Sequence, residues 1–332
     1  MDGFEPKKLL ILRIYQILNE YSDADHKLKQ ADIIAYLASE YGIECERKAI
    51  ARNIDYLKHA GIDIVQDRGD GYYLAERRFE HGELRFLTDS VIANRNVCES
   101  YTKEIIRKLV KEGGVYYKNY ARCVDLGDWR KSENKEYFLN IELLSEAIEK
   151  KVKVTFRFMH YGVDKRLHAR KPDKETVNPY KLFFKNGHYY LACNVDKYDQ
   201  LIFCRIDKIA DIEVTNIPAK DGAVVKGAER GINLGIISNS APYLFVERPL
   251  KIVFEAATDD VVNMIDYVLD QFGDDVGIRT TRTGRTVFTV MASPKAMKIW
   301  LLQFGASVKV LSPASLVKSI KEETQKMKEL YE

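Results

Sequence analysis

Val177-Asn178-Pro179-Tyr180-Lys181-Leu182-Phe183-Phe184-Lys185-Asn186-Gly187-His188-Tyr189-Tyr190-Leu191 reads as two strand-like runs joined by a tight turn. Aromatic and aliphatic residues dominate both runs. Lys185-Asn186-Gly187 between them is a hairpin signal, because Asn and Gly tolerate the positive φ that such turns need. Working outward, the strand-like runs are Val152–Phe158, Thr176–Phe184, Tyr189–Asn194, Leu201–Ile206 and Ile209–Val214, preceded by an amphipathic helix at Leu139–Ile148. Several short strands behind one helix predict a small, strongly bent barrel. Strand alternation puts Tyr190 on the face opposite Tyr189 and Leu191. Tyr189 and Leu191 therefore read as core, and Tyr190 as available to a ligand.

Three spaced motifs occur here in order: Val177-Asn178-Pro179-Tyr180-Lys181-Leu182, Asn186-Gly187-His188-Tyr189-Tyr190-Leu191 and Cys204-Arg205-Ile206-Asp207-Lys208-Ile209. Together they resemble the WYL domain, whose Trp-Tyr-Leu triplet is Tyr189-Tyr190-Leu191 in this chain. The family's Phe-Arg-Leu-Asp-Arg-Ile stands at 204–209 with Cys204, Ile206 and Lys208 as departures, and Tyr180 stands where the family tends to have His. The resemblance implies an Sm-like barrel that senses nucleic acid or another negatively charged ligand. The charge agrees, since residues 150–217 hold 14 Lys/Arg against 8 Asp/Glu, a basic segment fit for an anion. Arg205 offers a planar fork of donors, Tyr180 and Tyr190 offer hydroxyls or a stacking face, and Lys181 and Lys208 add charge. These five are the candidate ligand-binding residues.

The first 78 residues read as three helices and a hairpin. Leu9, Leu10, Ile14, Ile17 and Leu18 form one helical stripe, and Ile33, Ile34 and Leu37 a second that Gly42 closes. A third helix is expected from about Glu46 to Ala60, followed by two short strands, Ile62–Val65 and Tyr72–Leu74, around Asp67-Arg68-Gly69-Asp70-Gly71. In the third helix Ile50, Ile54 and Leu57 share the burying face, while Lys48, Arg52, Asp55 and His59 cluster opposite and Arg47 flanks them. Cations on the first two turns are where a recognition helix meets bases and phosphates in a major groove. Cys45-Glu46-Arg47-Lys48-Ala49-Ile50-Ala51-Arg52-Asn53-Ile54-Asp55-Tyr56-Leu57, with Ala60-Gly61-Ile62 after it, is similar to the recognition-helix signature of winged regulators. Arg47, Ile50, Arg52 and Leu57 match that signature directly, while Ala49 and Asn53 replace its usual Thr and Asp. Arg47, Lys48, Arg52 and Arg68, the last at the hairpin tip, are the candidate DNA-binding residues. This head is not basic, with 12 Lys/Arg against 14 Asp/Glu.

The whole is expected to be a multidomain α+β chain. A winged helix-turn-helix occupies 1–78, a helical bridge 79–136, the WYL barrel 137–217, a connector 218–246 and a small α+β module 247–332. The bridge reads as helical up to Gly113-Gly114, a loop signal, and irregular and polar beyond it. The final module, with Trp300 and Phe304 read as core, looks like the extension that often follows WYL domains.

Five scattered cysteines without a CxxC suggest neither zinc nor a disulfide framework. His160, His168 and His188 lack ligand spacing, so no metal and no cofactor is expected. No phosphate loop, Ser/His/Asp order or paired-carboxylate signature stands out, which points away from an enzyme. The N-terminal residues lack a signal peptide's apolar run. Leu9–Leu18 is cut by Arg13 and too short for a bilayer, so a cytoplasmic protein off the membrane is expected. Its expected partners are duplex DNA at the head, an anionic ligand (a nucleotide or single-stranded nucleic acid) at the barrel, and a second copy, because two half-sites supply register. Two alternatives stay open: a WYL-type accessory protein binding single-stranded nucleic acid beside a defence system, and an enzyme acting on a phosphorylated metabolite.

Overall fold

The computed structural model describes residues 7–67, 69–121, 131–229, 231–232, 243–244, 249–257, 264–282 and 284–332. The chain divides into two compact units, Met1–Glu133 and Asn134–Glu332.

In the first unit a short 3-10 turn at Lys7–Leu9 leads into α1 (Leu10–Tyr21), followed by α2 (Gln30–Tyr41) and α3 (Arg47–His59). Gly42 closes α2 at φ 64°, the left-handed conformation that glycine adopts without strain. The stripes meet as expected: Ile14, Ile17, Ile33, Leu37, Ile50 and Ile54 are buried together. Strands β1 (Ile64–Asp67) and β2 (Gly71–Leu74) pair antiparallel from Ile64↔Leu74 to Asp67↔Gly71. Leu28 and Tyr72 exchange both backbone hydrogen bonds at 2.8 Å, tying the hairpin to the segment before α2. Gly71 permits this approach, since a Cβ there would lie 2.4 Å from the Leu28 carbonyl oxygen, and its φ is +128°.

Among the described residues three further helices follow in this unit: α4 (His81–Ala93), α5 (Glu99–Glu112) and α6 (Gly114–Ala121). The polar segment after Gly113-Gly114 was expected to be irregular, yet Gly114 opens a helix. Its φ is +71°, and a Cβ would stand 2.7 Å from the Glu20 carbonyl oxygen. The glycine thus serves the close approach of α6 to the end of α1. Tyr117 of α6 is fully buried, its hydroxyl 3.2 Å from Thr88 Oγ1.

The second unit begins with α7 (Tyr137–Lys150) and six strands: β3 (Val152–Tyr161), β4 (Leu167–Ala169), β5 (Glu175–Lys185), β6 (His188–Asn194), β7 (Ile202–Arg205) and β8 (Ile209–Pro218). They form one sheet in the order β4-β3-β5-β6-β7, with β8 on β3. A 3-10 turn, Ile206–Lys208, is all that separates β7 from β8. Three residues reach roughly 10 Å, so the two ends of the sheet must curl toward each other there. Among the described residues β7 and β8 share no ladder. The sheet is therefore a curled half-barrel where a barrel was expected. Helix α7 packs on β3, β5 and β8. Asn140 Nδ2 donates to the Ile209 carbonyl at 2.9 Å, which fastens the helix to the start of β8.

Among the described residues from Leu250 onward the elements are β9 (Leu250–Ala257), α8 (Met264–Phe272), β10 (Gly277–Thr280), β11 (Arg285–Ala292), α9 (Pro294–Leu302), β12 (Val308–Ser312) and α10 (Ala314–Glu329). Its antiparallel sheet has the order β10-β11-β9-β12, the arrangement of a βαββαβ unit with one helix appended. Phe254, Phe272, Phe288, Met297 and Trp300 form its core. Phe304 stacks edge-on to Trp300, their ring centres 4.8 Å apart.

Candidate ligand cleft and nucleic-acid interface

The hairpin read from Lys185-Asn186-Gly187 sets the cleft. Asn186 and Gly187 take φ 48° and 77°, the positive pair that closes a two-residue turn, and Lys185 pairs with His188. That register brings Phe183 opposite Tyr190, and β7 brings Arg205 opposite Tyr190 on its other side. The three side chains form one row across three strands. Phe183 stacks on Tyr190 with ring centres 5.5 Å apart.

Beside this row lies a cleft of about 730 Å³, lined by Tyr190, Phe203, Arg205, Lys208, His160 and Arg170 among others. Arg205 donates from Nε to Asp207 Oδ1 at 3.0 Å and from Nη2 to Oδ2 at 2.7 Å. The Asp207 side chain is only 4% exposed and that of Arg205 30%. The carboxylate thus offsets Arg205, and the cleft's surplus positive charge comes from Lys208 and Arg170. Lys208 Nζ stands 5.6 Å from the Tyr161 ring centre, a cation–π distance. Burial, then the nearby Arg205, holds His188 below the usual imidazole range. An aromatic wall beside donors with surplus charge suits a planar, anionic ligand.

Tyr180 and Lys181 are not part of this cleft. They line a separate depression of about 360 Å³ with Asp221, Gly222 and Ile232. The cause is a bulge in β5: Pro179 pairs with Cys193 and Lys181 with Ala192, which leaves Tyr180 as the extra residue. The Tyr180 hydroxyl is buried without a partner among the described residues, and burial pushes its pKa up to about 12. Sequence reasoning missed Arg170, Phe203 and the grip of Asp207. Phe203 was findable, two residues before Arg205 and so on its face. Arg170 follows β4, whose three residues, Leu167-His168-Ala169, are too few to give a strand signal.

On α3, Ile50, Ile54 and Leu57 are buried while Arg47, Lys48, Arg52 and Tyr56 are exposed. Among the described residues none of the three cations has a hydrogen-bond or ion-pair partner. Arg68 lies outside the described residues. The turn end of the hairpin is held by Lys27, whose ammonium is 2.5 Å from Asp67 and 3.8 Å from Asp70. Asn53, by contrast, is spent within the helix, donating from Nδ2 to the Ala49 carbonyl at 2.7 Å.

Family models match in two places, the WYL domain over residues 140–214 and the WCX domain over residues 248–328. The chain thus carries a WYL domain followed by a WCX domain. The WYL match takes in α7 from Asn140 onward and all but the end of the curled sheet, and therefore the row Phe183, Tyr190 and Arg205. The WCX match takes in the βαββαβ unit and most of α10. A relative from Bacillus subtilis (strain 168), "Uncharacterized HTH-type transcriptional regulator YobV", is 22% identical over 306 residues, 87% of this chain and 91% of that one. Solved structures match as well, these two among them. "Proteasome accessory factor B/C (PafBC) of Arthrobacter aurescens" is 17% identical with a TM-score of 0.27, and the match covers 94% of this chain but 47% of that one. The other, titled "Crystal structure of a CRISPR Cas-related protein", is 14% identical with a TM-score of 0.37, covering 99% and 92%. Among the described residues no helix is long and apolar enough to cross a membrane, and no group of three or more metal-ligating side chains gathers.

Proposed function

We propose that this WYL-domain protein is a cytoplasmic, ligand-responsive DNA-binding regulator. In this reading residues 1–78 act as a winged helix-turn-helix, the WYL half-barrel senses a negatively charged ligand, and the chain works as a homodimer rather than as an enzyme. The observation that carries it is the outward face of α3. Arg47, Lys48 and Arg52 are exposed there with no partner among the described residues, while the opposite face is core. Cations held on a rigid helix and left unpaired are suited to phosphates and guanine edges. The cleft supports the sensing half, because Lys208 and Arg170 keep it positive after Asp207 has offset Arg205. A nucleotide or a short single strand has both the rings and the charge for it. Ligand and DNA are coupled only if the ligand prefers one of two head arrangements.

The acidic balance of the head supports a second reading, in which the cleft alone binds single-stranded nucleic acid in an accessory protein. One titration separates them. Fluorescence anisotropy with the duplex upstream of its own gene, its separate strands and a scrambled duplex is run on wild type, Arg52→Ala and Lys208→Ala. Lys208 is preferred to Arg205 as the cleft probe because removing Arg205 would strand the buried Asp207. Preference for the upstream duplex, lost in Arg52→Ala, is expected. Binding confined to single strands and lost only in Lys208→Ala would replace the first reading with the second.

A further inference from the structure

Cys193 and Cys204 bring their sulfurs to 3.5 Å of each other across neighbouring strands. The ladder between β6 and β7 pairs Leu191 with Cys204 and Cys193 with Ile202. Residues paired in register share a face, and Cys193 stands two positions beyond Leu191. The two thiols are therefore diagonal neighbours on one face of the sheet. Both are free thiols. Cys204 is also where this chain departs from the Phe of its motif, so that departure completes the pair.

A disulfide is about 2.0 Å long, so the sulfurs must close by about 1.5 Å. Strand β7 is placed to supply that movement. It has four residues, stands last in the order of the sheet and, among the described residues, shares no ladder with β8. The two thiols also differ in access. Cys193 is 0% exposed and Cys204 6%, and Cys204 lines the cleft together with its neighbours Phe203 and Arg205. Burial, then the adjacent Cys204, holds the Cys193 thiol well above its ordinary range. Cys193 therefore keeps its proton until Cys204 has reacted.

We propose that Cys193 and Cys204 form a reversible dithiol–disulfide site whose oxidant is a small hydroperoxide reaching Cys204 from the cleft. The Cys204 sulfur gives up its proton to water and attacks one peroxide oxygen. An S–O bond forms, the O–O bond breaks, and the leaving oxygen takes up a proton. Cys204 is then a sulfenic acid. The Cys193 sulfur attacks the Cys204 sulfur, forming the S–S bond and breaking the S–O bond, and hydroxide departs as water with the Cys193 proton. With hydrogen peroxide, two thiols are oxidised, one peroxide is reduced and two waters leave. A small dithiol reverses the reaction by exchange. The disulfide ties β6 to the strand that carries Arg205, beside the row of Tyr190 and Arg205. This goes beyond the proposed function and does not rest on it, because the thiols pair or fail to pair whatever the cleft and the head bind.

The test is peptide mapping of the native full chain after treatment with hydrogen peroxide, with glutathione in a parallel tube as the dose control. Remaining thiols are alkylated on unfolding, and the protein is digested without reductant. A Cys193–Cys204 cross-linked peptide is expected as the main product in wild type, lost on treatment with dithiothreitol. Dimedone should label Cys204 in Cys193→Ser, whereas Cys193 should stay a free thiol in Cys204→Ser. Three wild-type results would each overturn the site: both thiols still free at a dose that oxidises all the glutathione, Cys204 oxidised while Cys193 stays free, or either one linked instead to another cysteine. The wild-type map decides by itself, so a serine variant that fails to fold does not spare the proposal.

Discussion

Arg205 and Asp207 grip each other through two parallel hydrogen bonds, 3.0 and 2.7 Å long, in the wall of the cleft. A carboxylate only 4% exposed needs a partner of this kind, because an unpaired buried charge is costly. The pair sits where β7 passes through its 3-10 turn into β8, so it holds both the cleft and the closure of the curled sheet. Its two halves differ in what their loss leaves behind.

Arg205→Ala leaves a buried charge uncompensated and is expected to destabilise the chain by about 3–5 kcal/mol. Asp207→Asn leaves a partly exposed guanidinium that water can solvate, at about 1–3 kcal/mol. Urea unfolding should therefore rank Arg205→Ala as the more severe. The reverse order would show that Asp207 matters for a contact other than Arg205.

Lys185 makes a pH prediction. It is buried at 6% exposure, and that burial pushes its ammonium down to about 8 from an ordinary 10.5. Between those values the unfolded chain holds a proton that the folded chain has shed. Stability from this group is thus fully present above pH 10.5 and is lost as pH falls through about 8. Lys185→Met should raise the unfolding free energy at pH 7, by at most about 3 kcal/mol, and should gain little at pH 10.5. An equal gain at both values would remove desolvation as the cause.

The hairpin of the head hangs on Gly71. Gly71→Ala forces a Cβ toward the Leu28 carbonyl at a φ of +128°, at a cost of about 2 kcal/mol or more. Hydrogen exchange should show the Leu28 and Tyr72 amides losing protection. Full protection in that variant would mean that the backbone relaxes around the methyl group.

Much of this was legible beforehand, for identifiable reasons. The stripes of α1, α2 and α3 and the Asn186-Gly187 turn are local signals, and they appear in the structure as read. The motifs around Tyr189-Tyr190-Leu191 and Arg205 mark a domain that the family model also matches. What could not be read depends on distant neighbours. No alternation rule sees the bulge that takes Tyr180 out of register, although Pro179 beside it is a residue that favours such places. Gly114 looked like a loop because its purpose, contact with the end of α1, lies almost a hundred residues away in sequence. Asp207 was quoted within a motif without a role, since a grip on Arg205 two positions earlier appears only once β7 turns.

The cations of α3 should also be countable. If Arg47 and Lys48 meet phosphates, each alanine variant should reduce the slope of log affinity against log salt by about 1. Slopes equal to wild type would place both side chains away from the DNA backbone.

The central claim, that α3 reads duplex DNA, is tested most directly by selection from a randomised duplex pool, with wild type and Arg52→Ala run side by side on the full chain. The account predicts that wild type enriches one motif, arranged as two half-sites about a dyad, and that Arg52→Ala does not. Enrichment of the same motif by both proteins, or of no duplex motif by wild type, would contradict it.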